Sequence, residues 1–389
     1  MTSVELRTTS VAAGGEAVAR GDDGRVVFVA GALPGERVRV ELTEEKPRWA
    51  RGRTIEVLDA STDRVAPPCP HVGRGCGGCT WQHVALDAQE ALKVTIIADA
   101  LQRLGGIEKP LVQPGPVLLA TGFRTTVRAA VLGDRAAFRR HHSHDLIDVD
   151  SCLVAHPLIE ELLVDGRFDG ADEVTLRCGA RTGERLVLPD PSDAPVEVPD
   201  DVRRDALHEV VAGHRFRVSA RSFFQARPDG ADALVEAVRE AAADAPPGPM
   251  IDAFGGVGLF AATVAADRPV TIIEWSASSI ADAKVNVPDA DVLKLDLARW
   301  RPSPASLVVA DPARTGLGAK IVANLAGTGA THLVLVSCDP ASLGRDAALL
   351  RDQGFEHDGT TLVDLFPHTP HVEVVSRFIR PTAGRRTPP

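Results

Sequence analysis

The six cysteines of this chain fall into two groups with different chemistry. Cys338 follows a short apolar run, Leu333–Ser337, in the sequence Val-Ser-Cys-Asp-Pro. A thiolate is a strong nucleophile, and a thiol at the carboxyl end of a buried parallel strand points into the crevice where open α/β sheets bind ligands. Alone, such a cysteine is more simply a core residue. Its company changes the reading, because Asp311 and Glu373 terminate or enter other strands of the same pattern. Far upstream, Cys69, Cys76 and Cys79 lie together, with Cys152 able to complete a set of four. Thiolates are soft ligands for zinc or an iron–sulfur cluster. Cys178 is left over and reads as a small core side chain.

Between these groups lies a glycine-rich turn, Asp252-Ala-Phe-Gly-Gly-Val-Gly258, after the apolar Met250 and Ile251. Gly256 and Gly258 permit a tight strand-to-helix turn and close approach of the backbone to a ligand. About twenty residues on, Glu274 ends the next apolar run, where a carboxylate can accept from both hydroxyls of a ribose. This pairing is the logic of nucleoside cofactor binding, S-adenosylmethionine included. Phe223, Phe224 and Phe254 can wall such a site or sit equally well in the core.

The chain has 389 residues, 44% of them hydrophobic and 25% charged, as in an ordinary globular protein of two or three domains. No apolar stretch is long enough for a membrane span, and the first residues lack a signal-peptide layout, so a cytoplasmic protein is expected. In that compartment clustered cysteines mean metal binding or catalysis rather than disulfides. The net charge of −10 argues against a protein that coats nucleic acid. Even so, Phe123–His144 carries Arg124, Arg128, Arg135, Arg139, Arg140 and three histidines against one acid, Asp134, and the tail adds Arg380, Arg385 and Arg386. Such a stretch can hold a phosphate backbone, or can be a solvated face.

These residues need three kinds of element to position them. Residues 1–60 read as a small β-barrel, with β-branched runs at Val26–Ala30 and Arg37–Leu42 and an alternating one at Arg53–Leu58. Residues 61–215 hold the cysteines, a helix from Leu86 to about Leu104, strands at Arg124–Val131, Glu173–Arg177 and Arg185–Leu188, and a proline-rich loop at Leu188–Pro195. Residues 216–389 alternate strand and helix. The expected strands are Met250–Asp252, Val270–Glu274, Leu307–Asp311, Leu333–Ser337 and His371–Phe378, and the rhythm implies a doubly wound parallel α/β sheet.

Taken together, these motifs resemble the class I, S-adenosylmethionine-dependent RNA uridine-5-methyltransferases, the group that includes the ribosomal RNA enzymes with an iron–sulfur cluster. The likeness covers nearly the whole chain. Residues 1–60 look like the TRAM RNA-binding barrel, and Cys69, Cys76, Cys79 and Cys152 fall where that family holds a [4Fe–4S] cluster. Ser222-Phe-Phe-Gln225 matches the element whose glutamine lines the cofactor and uridine site. Asp252–Gly258, Glu274 and Asp311-Pro-Ala-Arg-Thr-Gly316 match its cofactor loop, ribose carboxylate and Asp-Pro-Pro-Arg motif. Val336-Ser-Cys-Asp-Pro340 matches the nucleophile motif, and Glu373 the general base.

The resemblance implies a Rossmann-like methyltransferase domain behind a TRAM barrel, S-adenosylmethionine and a [4Fe–4S] cluster as cofactors, and RNA as partner, ribosomal before transfer RNA. A monomer is the default expectation, and the basic stretch offers Arg124, Arg128, Arg139 and Arg140 as RNA contacts. Gln225, Asp252, Phe254, Gly256, Gly258, Glu274, Asp296 and Asp311 would bind the cofactor. Cys338 would add to C6 of a splayed uridine, C5 would take the methyl group, and Glu373 would remove the C5 proton. The chain departs from the pattern where Gly255 replaces a frequent cysteine, Ala313 a proline and Ala226-Arg227 a common asparagine, and its stretch between Glu274 and Asp296 is unusually short.

Overall fold

The computed structural model describes residues 3–141 and 143–381, so His142, Arg385 and Arg386 lie outside the described residues. The chain forms two compact units. One takes the N-terminal stretch through Asp99, Arg139–Asp145 and Phe366–His371; the other takes Ala100–Phe138, Leu146–Leu365 and the chain from Val372.

In the first unit, Ser3–Val11, Ala17–Arg20, Val26–Ala30, Arg37–Glu45 and Trp49–Asp59 close into a barrel. Alternation along each strand sends Leu6, Val27, Val29, Val38 and Val40 inward. So small an interior admits few large side chains, and Ala17, Ala19 and Ala50 fill the remainder. Gly52 is required there, because a Cβ would come within 2.4 Å of Val40 Cγ1. The two N-terminal strands, which no sequence signal singled out, close the barrel: Ser3–Val11 pairs antiparallel with Arg37–Glu45. Beyond the barrel, the buried carboxylate of Glu36 accepts from the amides of Leu33 (2.8 Å) and Ser61 (3.1 Å) and from both Nε and Nη2 of Arg64.

The second unit is built on a sheet of eight strands. Their order is Asp291–Lys294, Val270–Glu274, Met250–Ala253, Leu307–Ala310, His332–Ser337, Val374–Ile379, Glu356–Leu362 and Val112–Pro114. The first five are parallel and join through helices Leu259–Val264, Ala277–Asn286 and Gly318–Ala326. Helices cover parallel strands on both faces, which is why the central ones read as unbroken apolar runs. The expected parallel sheet needs correction at one interior strand, Val374–Ile379, which runs antiparallel to both neighbours. A parallel return needs a crossover, usually a helix, and the link from Leu362 to Val374 contains none.

A five-stranded sheet flanks this one, with Arg185–Asp190 at its edge. The strand runs through Pro189 into what the sequence assigned to a loop; an edge strand tolerates proline because its N–H side can face away from the ladder. Strands Ala206–Val211 and His214–Ser219 form a hairpin through Ala212 and Gly213, both at positive φ. No helix among the described residues is long and apolar enough to cross a membrane.

Candidate active site

The parallel register brings the chemistry to one edge. Ala253 pairs with Ala310, and Ala310 with Leu335, so the loops after these strands leave side by side. Asp311, first residue after its strand, donates its amide to Ala253 O at 3.1 Å. The antiparallel partner completes the set. Ser337 pairs with Val374, so the next residues, Cys338 and Glu373, face each other at the end of the ladder. Cys338 is half-buried and Glu373 only 5% exposed. The helix Pro340–Asp352 starts directly after the thiol, its N-cap Asp339 accepting from the amide of Ser342 at 2.7 Å.

Electrostatics couple the group. Burial pushes the Cys338 thiol up to about 11, and the Glu373 and Asp311 carboxylates add to the rise while Arg314 opposes it. Glu373 is itself raised well above the usual carboxylate range by burial and by Asp311, again against Arg314. Asp311 is lifted to about 7 by burial, with Asp252 beside it. Arg314 is therefore the cation of the site. Its signal was present in the Asp-Pro-Ala-Arg sequence, but only the fold shows that it acts on both Cys338 and Glu373.

The glycine loop leaves Met250–Ala253 through Phe254, a non-glycine residue at φ +61°, a conformation tolerated only where the surroundings enforce it. Gly258 opens the helix at φ +92°, and a Cβ there would lie 2.7 Å from Val287 Cγ2. At Gly255 a side chain would strike Ile272 Cγ2 at 2.8 Å and Asp252 Cγ at 2.9 Å, a local reason for glycine in place of cysteine. Asp252 is completely buried beneath the loop, where its Oδ2 accepts from Ala261 N at 2.9 Å, and burial pushes its carboxyl up to about 7. It supports the loop from below.

Glu274 accepts from the amides of Trp275 and Ser276 at 2.7 Å through one oxygen and from Gly256 N at 3.0 Å through the other. Three amides fix its direction, and a carboxylate with about four acceptor positions keeps capacity for a ligand hydroxyl. Trp275, missed in the sequence, stands 70% exposed beside it. Asp296 follows the neighbouring strand, where Leu295 N donates to Glu274 O at 3.0 Å. Gln225 is buried at the end of a loop pinned by Asp282, which takes hydrogen bonds from Ser219 N (2.8 Å), Ser219 Oγ (2.8 Å) and Ser222 Oγ (2.6 Å) and pairs with Arg217. Phe224 packs on Phe216, whereas Phe223 is 68% exposed. Arg227 is buried over the Phe123 ring and paired with Asp229, so its position is occupied by an internal ion pair.

The remaining expected residues fall in different places. Cys69, Cys76 and Cys79 lie in the first unit, where Cys76 accepts from the Gly78 amide with Cys69 beside it, and burial pushes the Cys76 thiol up. Their loop is stitched to Arg139–His141 by Gly77 N to Arg139 O (3.0 Å) and His141 N to Gly75 O (3.1 Å). Arg140 donates to Arg74 O at 2.9 Å. Cys152 lies in the second unit, its amide donating to Glu160 Oε1 at 2.7 Å. Among the described residues, no three histidine, cysteine or acidic side chains are gathered as a metal site. Arg124 and Arg128 also belong to the second unit; Arg124 donates to Thr126 O at 3.0 Å, and Arg128 pairs with Glu173.

Comparison with known proteins places this chain in a family. The TRAM domain model matches residues 4–55. An uncharacterised RNA methyltransferase of Streptomyces avermitilis is 35% identical over 97% of this chain and 98% of its own. The 23S rRNA (uracil(1939)-C(5))-methyltransferase RlmD of Halomonas elongata is 30% identical over 98% of this chain and 90% of its own. Among solved structures, the Pyrococcus abyssi tRNA (uracil-54, C5)-methyltransferase in complex with S-adenosyl-L-homocysteine has a TM-score of 0.74 at 23% identity, over 96% of this chain and 99% of that one, a likeness of fold. A TRAM barrel with a Rossmann-like sheet bearing this site defines an S-adenosylmethionine-dependent RNA methyltransferase. The chain belongs to the RNA uracil-C5 methyltransferase family.

Proposed function

We propose that this enzyme methylates C5 of a uridine in 23S ribosomal RNA through a covalent adduct between Cys338 and C6 of the base. The observation that carries the reading is the register placing Cys338 opposite Glu373, with Asp311 and Arg314 acting on both. Uracil C5 is too weak a nucleophile to attack a methyl sulfonium. Addition of the Cys338 thiolate to C6 makes an enolate with charge at C5 and O4, and C5 then displaces the methyl group from sulfur. Glu373 takes the C5 proton, and the C6–S bond breaks to return the thiolate and the uracil ring. The base must be splayed from its stack to reach this edge.

S-adenosylmethionine supplies the methyl group. Glu274 would receive its ribose, Asp296 and the exposed Trp275 its adenine side, and Phe254, Gly256 and Gly258 its passage along the loop, with Asp252 holding that loop. Gln225 and Asp311 would face both cofactor and uridine. Arg124, Arg128, Arg139 and Arg140 would contact RNA. We further propose a [4Fe–4S] cluster on Cys69, Cys76, Cys79 and Cys152. The donors are all thiols, and the Gly78 amide directed at Cys76 sulfur suits a thiolate ligand. Such a cluster would have a structural role.

The test is methyl transfer from labelled S-adenosylmethionine to unmodified RNA, separated into ribosomal and transfer pools and digested to nucleosides. Label in 5-methyluridine of 23S RNA, abolished in Cys338→Ala, is the expected result. Label in the transfer pool would change the substrate. No label from anaerobically prepared, cluster-loaded protein would refute the enzymatic reading in favour of a binding protein. Visible absorbance lost on Cys76→Ser tests the cluster independently.

A further inference from the structure

Two cavities of about 330 and 320 Å³ lie in the second unit, away from the thiol and its carboxylates, and share the wall Leu188, Pro189, Ala220 and Arg221. They form a continuous groove. One end lies on the five-stranded sheet, where Arg128 pairs across to Thr175 and Thr175 to Leu188, so all three stand abreast. The other end reaches Arg204 and Ser278, the latter in the helix that begins just after Glu274 and Trp275. The middle is Ala220-Arg221, immediately before the Ser222–Gln225 loop.

Its donors lack acceptors. Arg177 lines the groove and is only 8% exposed; its Nη1 is used by Ser219 O and Ser222 O, yet its Nε has no partner. A buried guanidinium N–H without an acceptor carries a full desolvation cost. Arg204 and Arg221 are exposed, and neither has a hydrogen-bond or ion-pair partner among the described residues. Elsewhere on this chain exposed arginines are commonly paired, as Arg37, Arg39 and Arg53 are on the barrel. The acids of the groove are Glu173, held by Arg128, together with Asp190 and Asp205. Guanidinium groups in this state suit phosphate oxygens, and the carboxylates suit amino groups on base edges. Leu188 and Pro189 add an apolar floor, and Phe223, two residues along the chain from Arg221, is exposed and offers a stacking face.

We infer that this groove binds the single-stranded RNA flanking the target uridine, with Arg221 and Arg204 on successive phosphodiesters. The inference rests on the proposed RNA methylation and adds a track for the strand. A splayed base drags its neighbours out of their helix, and an enzyme that holds those neighbours lowers the cost of the splayed state.

The test is fluorescence anisotropy of a fluorescein-labelled oligouridylate with the full chain over a range of salt, using Arg204→Ala/Arg221→Ala. Arg301→Ala/Lys320→Ala, which removes equal charge outside the groove, is the control. S-adenosylhomocysteine affinity reports folding in each. The groove variant is expected to bind RNA about tenfold or more weakly, with the slope of log affinity against log salt shallower by about 1 to 2, and to retain its S-adenosylhomocysteine affinity. The control should follow the wild type. Wild-type binding that is unchanged in the groove variant, or lost equally in the control, overturns the groove and leaves the proposed methylation standing. A wild type that neither binds nor methylates RNA overturns both.

Discussion

The proposed attack by Cys338 requires its thiolate, and the surroundings oppose that ionisation. With the thiol pushed up to about 11, thiolate at pH 8 is about a thousandfold less populated than thiol, a cost of about 4 kcal/mol at about 1.4 kcal/mol per unit. Single-turnover methyl transfer should therefore climb about tenfold per pH unit from about pH 7 to 9, with the thiolate fraction limiting. Arg314 opposes the rise of the thiol, so Arg314→Ala should slow the reaction at each pH while keeping the slope. Arg314 is exposed, so solvent screening holds the loss to about three- to tenfold. Rapid quench with nucleoside analysis, under saturating S-adenosylmethionine and excess enzyme, reads the rate directly. A pH-independent rate over this range, or an Arg314→Ala enzyme faster than wild type, would refute the electrostatic reasoning.

Three other perturbations test separate parts of the molecule. Asp252 stays protonated to about pH 7 when folded but ionises near about 4 when unfolded; the folded state holds the extra proton, and stability falls as pH rises through that window. Asp252→Asn should thus gain on wild type by up to about 4 kcal/mol between pH 4 and 7 in urea denaturation; a difference that does not change with pH would show that Asp252 ionises normally. Asp282→Ala leaves Ser219, Ser222 and Arg217 without their common acceptor, and should lower stability by about 3 kcal/mol and weaken S-adenosylhomocysteine binding by calorimetry. Unchanged affinity would mean that the Gln225 loop holds without this anchor. Glu36→Gln removes the charge that Arg64 and two amides surround, which should cost about 2–4 kcal/mol and lower the melting temperature; an unaltered melt would count against that cluster as the closure of the barrel.

Most of the chemistry was legible because motifs are local. The run before Cys338, the glycine turn after Ile251 and the acidic end of Val270–Glu274 each carry their signal within a few residues, and the fold places all three as the periodicity implied. Residues whose role depends on a distant neighbour were not legible. Ser3–Val11 has the alternation of a strand but becomes part of a barrel only by pairing with Arg37–Glu45. Trp275 carries no local signal and Arg314 shows in the sequence only as part of the Asp-Pro-Ala-Arg run; exposure beside Glu274 and a field on Cys338 make them notable.

The sequence by itself determined the parallel core and the glycine turn and singled out Cys338 as the candidate nucleophile, because apolar run length and glycine placement are dictated by backbone sterics and burial over short spans. Tertiary structure decided which groups act together. The strand Val374–Ile379 reverses direction inside the sheet, and only that reversal sets Glu373 against Cys338; parallel pairing in the same place would have carried the carboxylate to the opposite end of the sheet. It also decided the ionisation of the site, since a pKa depends on burial and on charges brought close in space, and neither is written in the local sequence.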